Sequence, residues 1–140
     1  VQRVLVAYLK NKNRCKVFVF VKNYRNLTEV LTDQKLASLG DAFINFVYSL
    51  ALSERKGEPL GKKVKGRTLA EAFKKAGLRE HMPSRITRHT LADAAEALIV
   101  YAWLHNYVTL EESVTILEKT EEPAEGLSRL LATIKNRIRF

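Results

Sequence analysis

The sequence predicts a mainly helical, all-α domain, and three observations predict it. From Asn26 onward the apolar residues recur at helical spacing and do not alternate. Helix-boundary residues stand at the ends of the periodic runs, and the whole chain has only three prolines. At 140 residues and 16.0 kDa the chain fits one domain with a core that needs no staples.

Residues 1–22 are the exception. Two apolar runs, "VLVAYL" and "VFVFV", flank the polar "KNKNRCK", which favours a small N-terminal β-hairpin, so the expected organisation is an extension over 1–22 and a helical domain over 23–140. This extension reads either as a lineage-specific addition or as an over-extended start, since the chain begins with Val1. A short helix after Asn26 and a long one ending before Gly57 come next. The loop "KGEPLGKKVKGR" then carries three glycines, a proline and a cluster of cations. "TLAEAFKKAGLREH" follows as a helix with Thr68 as N-cap, Glu71 in capping-box register and Gly77 as the stop. A strongly apolar helix in "ITRHTLADAAEALIVYAWLHNY" and two amphipathic ones in "LEESVTILEK" and "PAEGLSRLLATIKNRIRF" complete the chain.

Composition narrows the function classes. A single cysteine, Cys15, rules out an internal disulfide framework and a cysteine-rich zinc site, and three histidines lack metal spacing, with His81 and His105 read as structural. No apolar run approaches the roughly 18 to 20 residues of a membrane span, and the broken N-terminal runs do not make a signal peptide, so cytoplasmic residence without a membrane is expected. The net charge of +9 makes polyanions natural partners. Charge of this kind also occurs in proteins that bind no nucleic acid, including Lys- and Glu-rich chains from hot environments.

The chemistry lies in the acids. On a helical wheel Leu36, Leu39, Phe43, Phe46, Val47 and Leu50 share a face of the long helix, and Asp41 sits elsewhere among Ala37, Ile44 and Tyr48, so that helix reads as buried nearly all round. Fifty residues on, Asp93 and Glu96 share a face at i, i+3 spacing with Val100 and Trp103. Like-charged acids held in apolar surroundings must take up protons or find cations, and a hard divalent ion with oxygen ligands suits them. Bland readings stand beside this one: Asp93 and Glu96 as solvated acids near a helix start, and Asp41 as a lone carboxylate capping a neighbour. Gly40, costly inside a helix, reads as a point of close backbone approach.

"LASLGDAFINF" resembles the signature of the ribonuclease III domain, usually Leu-Glu-Phe-Leu-Gly-Asp-Ala, and "LADAAEALI" resembles its second motif, Ala-Asp-X-Phe-Glu-Ala-Leu-Ile. Both occur in the family's order, and the resemblance covers roughly residues 26 to 120. It implies an all-α endonuclease domain that works as a homodimer and cuts double-stranded or structured RNA with Mg²⁺, for which Mn²⁺ substitutes. It also implies 5′-phosphate and 3′-hydroxyl ends. Asp41, Asp93 and Glu96 fall on the family's catalytic and metal-site acids. The family's first acid, four residues before the Asp, is Ala37 here. That departure resembles the short mini-ribonuclease III form, which lacks an RNA-binding domain.

A separate double-stranded-RNA-binding domain does not fit in the remaining residues, so substrate contacts are expected from Lys62, Lys63, Lys65 and Arg67 in the glycine-rich loop. Arg85, Arg88 and His89, just before the acidic helix, are the other candidates. The loop lysines also fit a plain solvated loop, and Arg88 and His89 a solvated turn. Two other functions compete with the nuclease: a noncatalytic module of the same fold that binds RNA or a ribosomal partner, and an unrelated helical interaction protein.

Overall fold

The computed structural model describes residues 18–140. Among these it has six α-helices, one short 3₁₀ turn at Arg79–His81 and no strand. Helix α1 (Leu27–Leu31) begins where the Asn26 side chain accepts the Glu29 N–H. Helix α2 (Gln34–Lys56) begins where Asp33 Oδ1 accepts the Lys35 and Leu36 N–H groups, and it stops at Gly57, whose φ of 77° is left-handed. Tyr24 donates its hydroxyl to the other Asp33 oxygen at 2.7 Å, tying the approach segment to the α2 cap.

Helix α3 (Gly66–Lys75), with Lys65 at its N-cap, starts three residues earlier than its Thr68 signal suggests. The Lys65 carbonyl accepts from both Thr68 N and Leu69 N, which draws Thr68 into the first turn and leaves α3 without a side-chain cap. Gly77, with φ 76°, ends this segment as expected. Helix α4 (Arg88–Leu104) is capped by Thr87, α5 (Leu110–Glu118) by Thr109, and α6 (Pro123–Arg137) by the Glu122 carboxylate with proline in its first turn.

Helix α4 is the axis of the fold. Eleven of its residues are buried, on every side of the helix, because α1, α2, α3 and α6 all pack against it. Side chains such as Ile44, Phe73, Leu98, Leu127 and Ile134 are fully buried, each worth about 1.5–3 kcal/mol relative to exposure. Helix α5 lies across α2 and α6 at the far side.

The all-round burial expected of α2 belongs to α4 instead. Helix α2 buries Leu36, Ala37, Gly40, Ile44, Val47 and Ala51, while Leu39 and Phe46, at 40% and 55% exposure, lie on a free stripe with Phe43 and Leu50 partly covered beside them. The wheel had merged two stripes, since Leu36 and Val47 point to the core and Leu39 and Phe46 away from it. This 23-residue helix is also long and apolar enough to pass as a membrane span by length and composition, contrary to expectation, although it packs against α4 and α5. Of the anticipated N-terminal hairpin, residues 1–17 with Cys15 lie outside the described residues. Residues 18–22 form a turn without strand pairing, in which Phe18 rests 5.9 Å from Trp103.

Candidate active site

Gly40 sets the geometry of the site. A Cβ built there would lie 2.0 Å from the Glu96 carbonyl oxygen, so the α2 and α4 backbones meet at this point and only glycine allows it. The residue after Gly40 is Asp41, and the one whose carbonyl it touches is Glu96. Backbone contact therefore brings two acids from distant parts of the chain together.

Asp93 and Glu96 share a face of α4, as their spacing requires. With Ala37, Ser38 and Asp41 of α2 they line an open cavity of about 360 Å³, closed on one side by Val64 and Gly66. Only Glu96 is buried, at 7% exposure, whereas Asp41 is exposed and the Asp93 side chain is 18% exposed. The buried surroundings expected for all three acids thus hold for Glu96 alone, while Asp41 is exposed and Asp93 partly so. Burial, a hydrogen bond with Asp41 and the nearby Asp41 and Asp93 charges push the Glu96 carboxyl up to about 8. Among the described residues the sole ion pair to any of the three is His89 Nε2 to Asp93 Oδ2 at 3.5 Å, and His89 is 87% exposed. The site is therefore acidic and short of positive charge.

Among the described residues, no group of three or more His, Cys, Asp or Glu side chains is gathered closely enough to form a protein-only metal cage. Mg²⁺ does not ask for one, since it is commonly held by one or two carboxylates, its own waters and a substrate phosphate. Hard oxygen donors, a buried acid that gives up its charge without a partner, and room for waters fit such an ion. Ala37 is buried and faces the same cavity, four residues before Asp41, so a longer acid at that position would also point into the site.

The expected RNA contacts fall into two groups. Lys62, Lys63, Lys65 and Arg67 are all exposed along the segment leading into the first turn of α3. Arg85, Arg88 and His89 are exposed at the entrance to α4, on the other approach to the acids. Of these residues His89 lines the acidic cavity, Lys65 and Arg67 neighbour its Val64 and Gly66 in sequence, and Lys62 and Lys63 line a separate hollow with Asn45, Phe46, Ser49 and Leu50. His105 caps the α4 C-terminus, its ring 4.4 Å from that of Tyr101, which agrees with a structural role.

The sequence reading missed a polar stripe on α2. Asn45 Nδ2 donates to Asp41 Oδ1 at 3.2 Å, and Asn45 Oδ1 accepts the Val64 N–H at 2.7 Å. Ser49 Oγ accepts the Lys62 N–H and donates to the Lys62 carbonyl, at 2.8 and 2.9 Å. Ser53 Oγ accepts the Leu60 N–H at 2.9 Å. The signal was present as Asp41, Asn45, Ser49 and Ser53, four polar residues at four-residue spacing inside an otherwise apolar helix.

The family model described as Ribonuclease III matches residues 34–138, nearly all of the helical part of the chain. No curated protein matches the sequence significantly.

Proposed function

Because the chain belongs to the ribonuclease III family, we propose that it is a divalent-metal-dependent endoribonuclease that cleaves double-stranded or structured RNA, leaving 5′-phosphate and 3′-hydroxyl ends. The observation that carries this reading is the convergence of Asp41 and Glu96 across the Gly40 contact, with Asp93 lining the same open cavity. A binding module has no physical reason to keep a desolvated Glu96 beside two more acids, since an unpartnered buried carboxylate is destabilising.

When bound, Mg²⁺ supplies Lewis acidity toward the scissile phosphate, the attacking water and the leaving 3′ oxygen. Glu96 and Asp41 are its proposed ligands, with Asp93 beside them. Glu96 is held in place by the packing of α4, and Asp41 is oriented by the Asn45 amide. Lys62, Lys63, Lys65, Arg67, Arg85, Arg88 and His89 would take up RNA phosphates on the two approaches and present the duplex by shape. We also propose a homodimer through the free α2 stripe of Leu39, Phe43, Phe46 and Leu50, each protomer cutting one strand.

The test incubates the protein with a perfect RNA duplex and with several structured RNAs, in Mg²⁺ or chelator, beside Glu96→Gln and Asp41→Asn. Metal-dependent cleavage by wild type and its loss in both variants is expected. Equal cleavage by all three proteins, or none by any, would sink the catalytic reading. In the second case the family's fold would be serving as an RNA- or ribosome-binding module, which Ala37 in place of the usual acid favours.

A further inference from the structure

Leu60, Lys62 and Val64 hydrogen bond to Ser53, Ser49 and Asn45 in antiparallel order. The two spacings match: two residues of extended chain advance about 6.7 Å, and four residues of helix about 6 Å. Each second amide of the segment therefore meets each fourth side chain of α2, as a strand edge meets its neighbour. Ser49 both accepts from and donates to Lys62, the full two-bond exchange of a sheet pair made by one hydroxyl. No backbone hydrogen bond within the loop duplicates these bonds among the described residues. The last rung, Asn45, has its amide oxygen on Val64 and its amide nitrogen on Asp41.

We propose that Asn45, Ser49 and Ser53 are positioning residues that hold the cationic segment as a straight rail along α2, and that Asn45 couples this rail to the Asp41 carboxylate. The proposal rests on the nuclease reading above and adds to it how binding and cleavage are linked. Lys62 and Lys63, which line a hollow with Asn45, Ser49 and Ser53, are then held in fixed register along α2, without ordering a loop when RNA arrives. Ser49 and Ser53 act on substrate binding only. Asn45 acts on binding and also on the carboxylate, since losing it frees the Asp41 side chain to rotate away from Glu96.

Hydrogen exchange on the RNA-free protein gives a readout independent of activity. The amides of Leu60, Lys62 and Val64 should exchange more slowly than those of Gly61 and Lys63 between them. Ser49→Ala should speed Lys62 about fivefold, the size of one neutral hydrogen bond, while Ser49→Thr, which keeps the hydroxyl, restores it. With a duplex substrate, Ser49→Ala and Ser53→Ala should raise KM several-fold at unchanged kcat. Asn45→Ala should lower kcat as well and weaken Mn²⁺ binding measured by calorimetry. Uniform exchange across residues 60–64, or alanine variants that bind RNA as tightly as wild type, overturns the positioning role alone. A wild type with no affinity for RNA overturns that role together with the function on which it rests.

Discussion

Gly40 was legible in the sequence, because a glycine inside an apolar helix, beside a carboxylate, needs a reason. What the sequence could not supply was the identity of the atom it meets, since the Glu96 carbonyl lies 56 positions away and carries no compositional mark. Gly40→Ala is expected to destabilise the protein by about 3 kcal/mol, the upper part of the overpacking range, because the obstacle is backbone and cannot rotate aside. Urea denaturation measures this, and a loss under 1 kcal/mol would mean that the helices separate easily. That Asp41, Asp93 and Glu96 line one cavity agrees with their spacing and motif. Their unequal burial was not legible, because exposure depends on where the cavity opens. Ala37→Glu should tighten Mg²⁺ binding in calorimetry, since residue 37 lines the same cavity as Asp41 and Glu96. Unchanged affinity would show that residue 37 cannot reach the ion.

Among the elements, helix positions were read from periodicity with small errors at the ends. The α3 start was misjudged because Lys65 supplies a carbonyl, not a side chain, as the local anchor. The two stripes of α2 were merged because its apolar residues nearly encircle it, and only the placement of α4 tells which stripe is covered. Contacts from a side chain to distant backbone, such as the N–H groups that the Arg55 guanidinium donates to the Leu117, Glu118 and Thr120 carbonyls, have no sequence period at all. Helices α5 and α6 are joined by Glu112 and Arg137, whose paired bonds span 2.6 to 2.7 Å. The Arg137 guanidinium holds the Glu112 carboxyl below the usual carboxylate range. A lowered folded pKa gives stability that is present above the ordinary carboxylate value and lost as pH falls through the folded one. Glu112→Gln should therefore lower Tm at pH 7 and lose its deficit in strong acid. The difference should not exceed about 1 kcal/mol, since both side chains are more than a third exposed or close to it. A deficit that persists at low pH would assign the effect to packing.

For the whole molecule, exposed apolar residues of α2 and the cations of the following segment lie side by side. Leu39 and Phe46 stand exposed on α2, and Phe46 shares a hollow with Leu50, Lys62 and Lys63. In the proposed dimer a second copy covering Phe46 and Leu50 would lie beside Lys62 and Lys63, which line the same hollow. Sedimentation at micromolar concentration should give twice 16.0 kDa for wild type and 16.0 kDa for Phe46→Glu, whose charge cannot be buried in such a face. A wild-type monomer removes the proposed pairing. This level was the least legible in the sequence, because a stripe that faces a partner and a stripe that faces the core obey the same periodicity.

The meeting of Gly40 with the Glu96 carbonyl also bears on how such a protein can change over time. The acids are spaced by main chain against main chain, a gauge that contains no side chain to be exchanged. At position 40 every side chain must displace the Glu96 backbone, so any replacement alters the spacing of the helices as well as their stability.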